Sequence, residues 1–564
     1  MGRSSFPVVR SRSLLKPQGT GALVLVLLYL TLFFFVPYGI LLYTGLFGSG
    51  ESPGFPLAEI LRSPYYRRII AFTFYQALLS TLFSLLLGIP GAYFMARYSF
   101  PGKKLIKALC TVPFVLPSIL VVLGFVLFFG NSGYLNRALM LLFSLEEPPL
   151  RILYSLRAIV LAHTFYNFPI CLRLVSSAWE REPESLLQAG RLLGANRFQL
   201  FRSVTLPYLV PSLSASALLT FLYCFNSFAI ILVLGGGPKF TTVEVEIYRL
   251  ARMDLNFSLA GGLSVLATLV SLGFTLPYLR YLNKSSGRIS SETTGKRFSE
   301  YTGGSWVVKP LLVLYLLTVV MVILAPLVSV IIRSLLASSS WDKGSGFTFR
   351  AYRDLFFTKN ISLGLILPSL LNSLIVASIT CLIAGFFGTL SGYWSARKGG
   401  YPFLLPLSLL PLGVSSLVLG LGYSRLILLH SYGNPFLLLG VIHSILSFPF
   451  ISQGVAGAAR SITPSLRKAA ATLGASPGYA FRTLEIPLLL PSLISGLSFA
   501  FAISLGEFQG ALLILSGRAS TIPITLYRLI GAYNFNGACA LGTILILLCT
   551  VAFFIIQKTE GREE

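Results

Sequence analysis

RLLGANRFQLFRSVTLP, Arg191–Pro207, places three arginines and a Gly-Ala pair inside a chain that is otherwise strongly apolar. A second stretch, TLGASPGYAFRTLEIP, Thr472–Pro487, repeats Gly-Ala, Phe-Arg and Pro in the same register. The charges decide where the first stretch lies, and its echo decides how the whole chain is organised.

The chain has 564 residues, of which 55% are hydrophobic and 11% charged, with mean hydropathy +0.79. A soluble domain carries about 25% charged residues. A helix needs about 20 mostly apolar residues to cross the bilayer core, and twelve such runs centre near residues 33, 82, 116, 163, 220, 270, 322, 380, 415, 446, 500 and 548. These imply an all-α polytopic membrane protein. The first run, from about Gly21 to Phe47, exceeds the roughly 7–15 residues of a signal-peptide core and reads as a retained anchor.

Net charge is +25. A nucleic-acid binder gathers such charge on one face or stripe, whereas here it flanks the apolar runs. Arg3, Arg10, Arg12 and Lys16 precede the first run; Arg97, Lys103, Lys104 and Lys107 follow the second; Arg280, Lys284, Arg288, Lys296 and Arg297 follow the sixth; Arg397 and Lys398 follow the eighth. All fall on one side if spans alternate, so the positive-inside bias puts the N- and C-termini in the cytoplasm. Arg62, Arg67 and Arg68 are the exception. The six cysteines lie in or beside apolar runs without metal-ligand spacing and read as small buried hydrophobes. No metal site is expected.

Aligned on itself at an offset of 280, the chain pairs LAHTFYNFPI (Leu161–Ile170) with VIHSILSFPF (Val441–Phe450), matching His163 to His443. The same offset pairs Gly194 with Gly474, Arg202 with Arg482 and Pro207 with Pro487, and an offset of 300 pairs GAYFMAR (Gly91–Arg97) with SGYWSAR (Ser391–Arg397). Two homologous halves follow, residues 1–285 and 308–564, joined by a Ser/Gly/Thr-rich cytoplasmic linker at 286–307. Six spans per half is an even number, which makes the repeats parallel and pseudo-symmetric about the membrane normal.

Between Trp179 and Arg202 lie Glu180, Arg181, Glu182, Glu184, Arg191, Arg197 and Arg202. Burying seven charges in lipid would cost on the order of 20 kcal/mol, so the segment belongs in water, on the cytoplasmic side by span count. Pro183 suits a first helical turn, Gly194 a helix C-cap, and Asn196 and Ser476 the N-caps of second helices, with Pro477 at the favoured first position. Each copy, near 183–207 and 463–487, therefore reads as helix, tight turn, helix. A loop that merely covered the bundle would have no reason to reproduce its turn, so both read as docking surfaces.

These features resemble the inner-membrane permeases of bacterial ABC importers (type I), whose hallmark is a cytoplasmic E-A-A-x-x-x-G motif that docks into the ATPase subunit. The matching positions are Gln188-Ala189-Gly190 before Gly194-Ala195, and Lys468-Ala469-Ala470 before Gly474-Ala475. Neither copy has the family's glutamate, and Lys468 reverses its charge. The 6+6 layout, with CFNSFAIILVLGGGPKFTTVEVEIYRL (Cys224–Leu250) and SLGEFQGALLILSGRASTIPITLYRL (Ser504–Leu529), is similar to the fused permeases for thiamine and for ferric iron. The resemblance implies a transport subunit of the cell inner membrane, not an enzyme. Its implied partners are two copies of a cytoplasmic ATPase, which carry the ATP and Mg²⁺, and an extracytoplasmic substrate-binding protein. Thiamine is the first expectation for the substrate and ferric iron the second.

An ionisable residue inside a span is a functional candidate by default, and Glu507 is the acid that stands out. It either faces a cationic substrate or bonds backbone at a Gly-broken helix. Phe508 follows it, and the first half offers Asn226 and Ser227 at the equivalent place. His163 and His443, without evident carboxylate partners, read as packing residues. The segments GGGPKFTTVEVEIYRL and SGRASTIPITLYRL read as outer loops, contacting a binding protein or anchored at the interface by Tyr248 and Tyr527. SETTGKR lacks the glycine and Ser/Thr of a phosphate-binding loop, so ATP hydrolysis would fall to separate subunits. The competing class, an ion-gradient-driven secondary transporter, calls for intramembrane acids in both halves.

Overall fold

The computed structural model describes the chain except residues 1–18, 50–51, 54, 101, 104–105, 107–115, 289–299, 302–307, 337–345, 358–365, 398, 431–433, 516–518 and 561–564. The basic N-terminal tail, Lys104, Lys107, Cys110, Lys296, Arg297, Lys398 and most of the 286–307 linker therefore lie outside the described residues. The first half contains α1 (Thr20–Phe47), α2 (Pro64–Arg97), α3 (Ser118–Phe143, interrupted by a turn at 130–133) and α4 (Leu156–Glu180). It continues with α5 (Glu184–Leu192), α6 (Arg197–Phe225), the short α7 (Ala229–Leu234) and α8 (Val243–Arg252), and α9 (Phe257–Arg280). The second half repeats the order as α10 (Lys309–Ser334), α11 (Ile366–Ala396), α12 (Leu404–Gly413), α13 (Ser416–Leu426), α14 (Pro435–Ser461), α15 (Pro464–Thr472), α16 (Pro477–Gly506), α17 (Gln509–Ile514), α18 (Ile522–Gly531) and α19 (Phe535–Ala552).

Eleven of these helices are long and apolar enough to cross a membrane, and the pair α12–α13, bent by 89°, takes the twelfth place. The run centred near 415 is thus not a simple span, whereas the run near 116 adjoins α3, one of the eleven. The centre near 415 falls in the break between α12 and α13, and that near 116 lies just before α3 begins. Apolarity alone does not separate one crossing helix from two short pieces. Pro411 and Gly413 weaken continuity here, and irregular backbone at such depth is tolerated where it lines a cavity.

The halves interlock. Each half's first span packs on the other half: α1 against α11 and α13, and α10 against α2 and α3. Both first spans carry a π-helical turn, Thr31–Phe35 and Val320–Leu324, just before Pro37 or Pro326. A proline removes the N–H that would bond the carbonyl four residues earlier. For Pro37 that carbonyl belongs to Phe33, and it accepts instead from the Tyr423 hydroxyl of the other half at 2.7 Å.

Glycines let the backbones of the two halves approach at these prolines. A Cβ on Gly422 would lie 2.6 Å from the Pro37 carbonyl oxygen, and one on Gly124 2.8 Å from that of Pro326, two reciprocal contacts between the halves. Gly→Ala in an open helix gains about 1 kcal/mol, as expected at Gly273, where nothing lies within 4 Å. Gly124→Ala and Gly422→Ala should instead lower stability by about 1–3 kcal/mol through overpacking, read as thermal unfolding of the detergent-solubilised chain with Gly273→Ala as control.

Candidate functional site

Two places combine unusual chemistry with position: a cavity between the halves and the paired loops. The cavity, of about 280 Å³, is lined by Asn226, Ser227, Glu507 and Phe508, together with aromatic residues of both halves. Residues 226–228 and 507–508 are the breaks that separate α6 from α7 and α16 from α17. At the second break the Glu507 carboxylate accepts from the backbone N–H groups of Gln509 (2.9 Å), Gly510 (3.1 Å) and Ala511 (3.3 Å), supplying partners that a helix start lacks. Its Oε2 also lies 3.2 Å from His443 Nε2. His443 therefore has a carboxylate partner, contrary to the expectation from sequence, because the break folds Glu507 back onto α14.

The equivalent His163 is fully buried with the Ser80 hydroxyl 3.0 Å from its Nδ1, while its Nε2 has no partner among the described residues. The difference follows from Ser227 standing where the second half has Glu507. Asn226 Oδ1 accepts from Ser271 at 3.1 Å. Phe228 and Phe508, equivalent across the halves, meet with ring centroids 5.9 Å apart.

The two loops have the same backbone. In the first, the Gly194 N–H donates to Arg191 O and the Ala195 N–H to Gly190 O, both at 3.0 Å; in the second, Gly474 donates to Ala471 and Ala475 to Ala470, again at 3.0 Å. This is a Schellman C-cap, with the glycine left-handed, and φ is +80° at Gly194 and +82° at Gly474. Asn196 and Ser476 accept from Gln199 N and Tyr479 N as N-caps, and Pro477 opens its helix. Pro183 sits one position earlier, as the N-cap of α5. Gln188, Ala189, Lys468 and Ala469 are exposed and Gly190 and Ala470 half-buried, while Leu192, Leu193 and Leu473 are 87–89% exposed. Large apolar side chains this open, on segments rich in charge, mark an interaction surface.

One of the seven charges assigned to water is not there. Glu182 is buried, bonded to Arg97 at 2.9 Å and to the Thr205 hydroxyl. In the second half the carboxylate comes from Glu485, the equivalent of Thr205, which accepts from Arg467 at 2.8 and 3.1 Å and from the Tyr393 hydroxyl. The hydrogen bonds with Glu485 raise the Arg467 guanidinium above its ordinary value. Each loop is thus tied to the bundle by a buried carboxylate drawn from a different sequence position.

Glu507 is also not the sole buried acid near the cavity. α8 is not a surface anchor: Val243, Glu244, Glu246, Ile247 and Tyr248 are all buried, and Tyr248 packs on Phe228. Glu246 pairs with Arg249 at 2.6 Å, a spacing of three that could have been read from the sequence. Glu244 accepts from Ser415 of the other half at 3.1 Å, and its Oε1 has no partner among the described residues. Desolvation pushes its carboxyl up to about 8. No local pattern signals this, because the partner lies 171 residues away.

The sequence profile of the family described as binding-protein-dependent transport system inner membrane component matches residues 88–339 and 384–560. The chain is 28% identical over 527 residues to the thiamine transport system permease protein ThiP of Escherichia coli K12, covering 91% of this chain and 92% of that protein. It is 27% identical over 524 residues to ThiP of Salmonella typhimurium LT2, with the same coverage of 91% and 92%. A solved bacterial ABC transporter involved in import of the polysaccharide alginate aligns at 19% identity and TM-score 0.40, over 48% of this chain and 96% of that one.

The raised carboxyl of Glu244 gives stability a pH dependence of known sign. The folded chain keeps a proton that the unfolded chain releases above about 4.5, so this contribution falls as pH rises from about 4.5 to about 8. Glu244→Gln stays neutral throughout. Its unfolding temperature relative to the parent should climb across that window and level off above it, in thermal scans of the solubilised protein.

Proposed function

The chain belongs to the family of binding-protein-dependent transport system inner membrane components, a multi-pass transport subunit with two permease halves, and we propose that it carries thiamine through the cavity between them. The observation that carries this reading is the cavity itself, where a buried carboxylate, Glu507, stands among aromatic rings of both halves. Thiamine is a cation built of two flat heterocycles. Rings attract a cation through their faces and stack on heterocycles, and a buried carboxylate supplies the opposite charge. The names of the relatives support the same substrate. Ferric iron, a hard ion, takes several oxygen or nitrogen ligands at once, and an aromatic lining suits it less.

In this reading two copies of a cytoplasmic ATPase, holding ATP and Mg²⁺, dock on the loops near 183–207 and 463–487, and an extracytoplasmic binding protein delivers the substrate. The N- and C-termini are cytoplasmic. ATP binding favours one arrangement of the interlocked halves over the other, which is all that alternating access requires. The left-handed Gly194 and Gly474 hold the loop shapes that transmit the motion.

Reconstituted in liposomes with its ATPase and binding protein, the chain should take up thiamine only when ATP is present. Glu507→Gln should reduce uptake at least tenfold, and Gly194→Pro or Gly474→Pro should abolish ATP hydrolysis stimulated by the loaded binding protein. Uptake driven by an ion gradient without ATP would place the chain in the secondary-transporter class instead.

A further inference from the structure

The cavity is chemically lopsided in a way that the sequence repeat does not require. In the second half Ser504 and Glu507 take both ring nitrogens of His443, and His443 does not line the cavity. In the first half His163 and Asn167 both line it, 0% and 2% exposed, one helical turn apart on α4. His163 Nε2 and Asn167 Oδ1 have no protein partner among the described residues. Their other atoms are committed: His163 Nδ1 to Ser80 at 3.0 Å, and Asn167 Nδ2 to the His163 carbonyl at 3.0 Å and to Cys224 Sγ at 3.3 Å. The amide is therefore held in one orientation, and two buried polar atoms are left over.

Buried polar atoms without partners are costly and call for a ligand that satisfies them. Residues at i and i+4 share a helix face, so the two atoms present an acceptor beside an imidazole nitrogen. In the tautomer in which the Ser80 hydroxyl donates to Nδ1, Nε2 carries the proton and donates. A donor and an acceptor set side by side match an amino group next to a ring nitrogen, the edge of an aminopyrimidine.

We propose that His163 and Asn167 form a subsite that reads the amino-heteroaromatic edge of the transported ligand, across the cavity from the carboxylate that faces its cationic end. The subsite rests on the thiamine reading given above and adds the residues that choose between thiamine and close analogues. The amino group donates to Asn167 Oδ1 and the adjacent ring nitrogen accepts from His163 Nε2. A 4-oxo analogue presents an acceptor where Asn167 also offers one, and is rejected. A site built to bond a polar group discriminates strongly, because the wrong ligand leaves it unpaired.

The test uses the complete importer in liposomes, with binding protein loaded with thiamine or with its 4-oxo analogue, and measures the ratio of the two uptake rates. The parent should favour thiamine, and Asn167→Ala and His163→Ala should each lower the ratio about tenfold. His163→Gln, which keeps a donor, should preserve much of it. The binding protein is the same throughout and cancels, and a misfolded variant loses both uptakes together without moving the ratio. Thiamine uptake by the parent with a ratio unchanged in both alanine variants overturns the subsite and leaves the thiamine reading standing. A parent that takes up neither compound overturns both.

Discussion

A backbone amide or carbonyl in hydrocarbon must find its partner inside the protein, and at several of its interruptions this chain supplies one from a side chain. Glu507 takes three amides at the start of α17, Ser415 accepts from Val418 N at the start of α13, and Tyr423 fills the carbonyl that Pro37 leaves open. The breaks at residues 226–228, 414–415 and 507–508 all border one cavity. Satisfying the backbone thus collects polar groups at the same depth, between the halves. The site is a consequence of how the spans are broken.

The halves embrace reciprocally and yet are chemically unequal. Gly124 against Pro326 and Gly422 against Pro37 are the same contact made twice, and the Schellman turns at Gly194 and Gly474 are superimposable in their bonding. Against that frame, single positions diverge: Ser227 opposite Glu507, and Thr205 opposite Glu485. Fusion in one chain permits this. Each half can then specialise at these positions.

Much of the site was legible from its residues. Asn226, Ser227, Glu507 and Phe508 stand out because polar residues interrupt apolar runs, and the structure brings all four to one cavity. The loop turns were legible because a left-handed Gly, a capping Asn or Ser and a Pro at the first helical position are local requirements. Glu182, Glu244 and the His443–Glu507 pair were not, since their partners lie 85, 171 and 64 residues away. Nor was the break at 415, where hydropathy averages over the change in direction.

The sequence by itself determined that this is a polytopic helical protein in two parallel halves with matched charged loops, because hydropathy, charge placement and capping act over a few residues and repeat at a constant offset. Only the tertiary structure decided which polar groups are spent on one another and which remain for a ligand. His163 and His443 occupy equivalent positions in the repeat, but a carboxylate folded back by a broken helix satisfies one, while the other lines the cavity with a ring nitrogen that has no partner among the described residues. Hydrogen bonding inside a membrane protein is a matter of three-dimensional supply, and the order of residues does not set it.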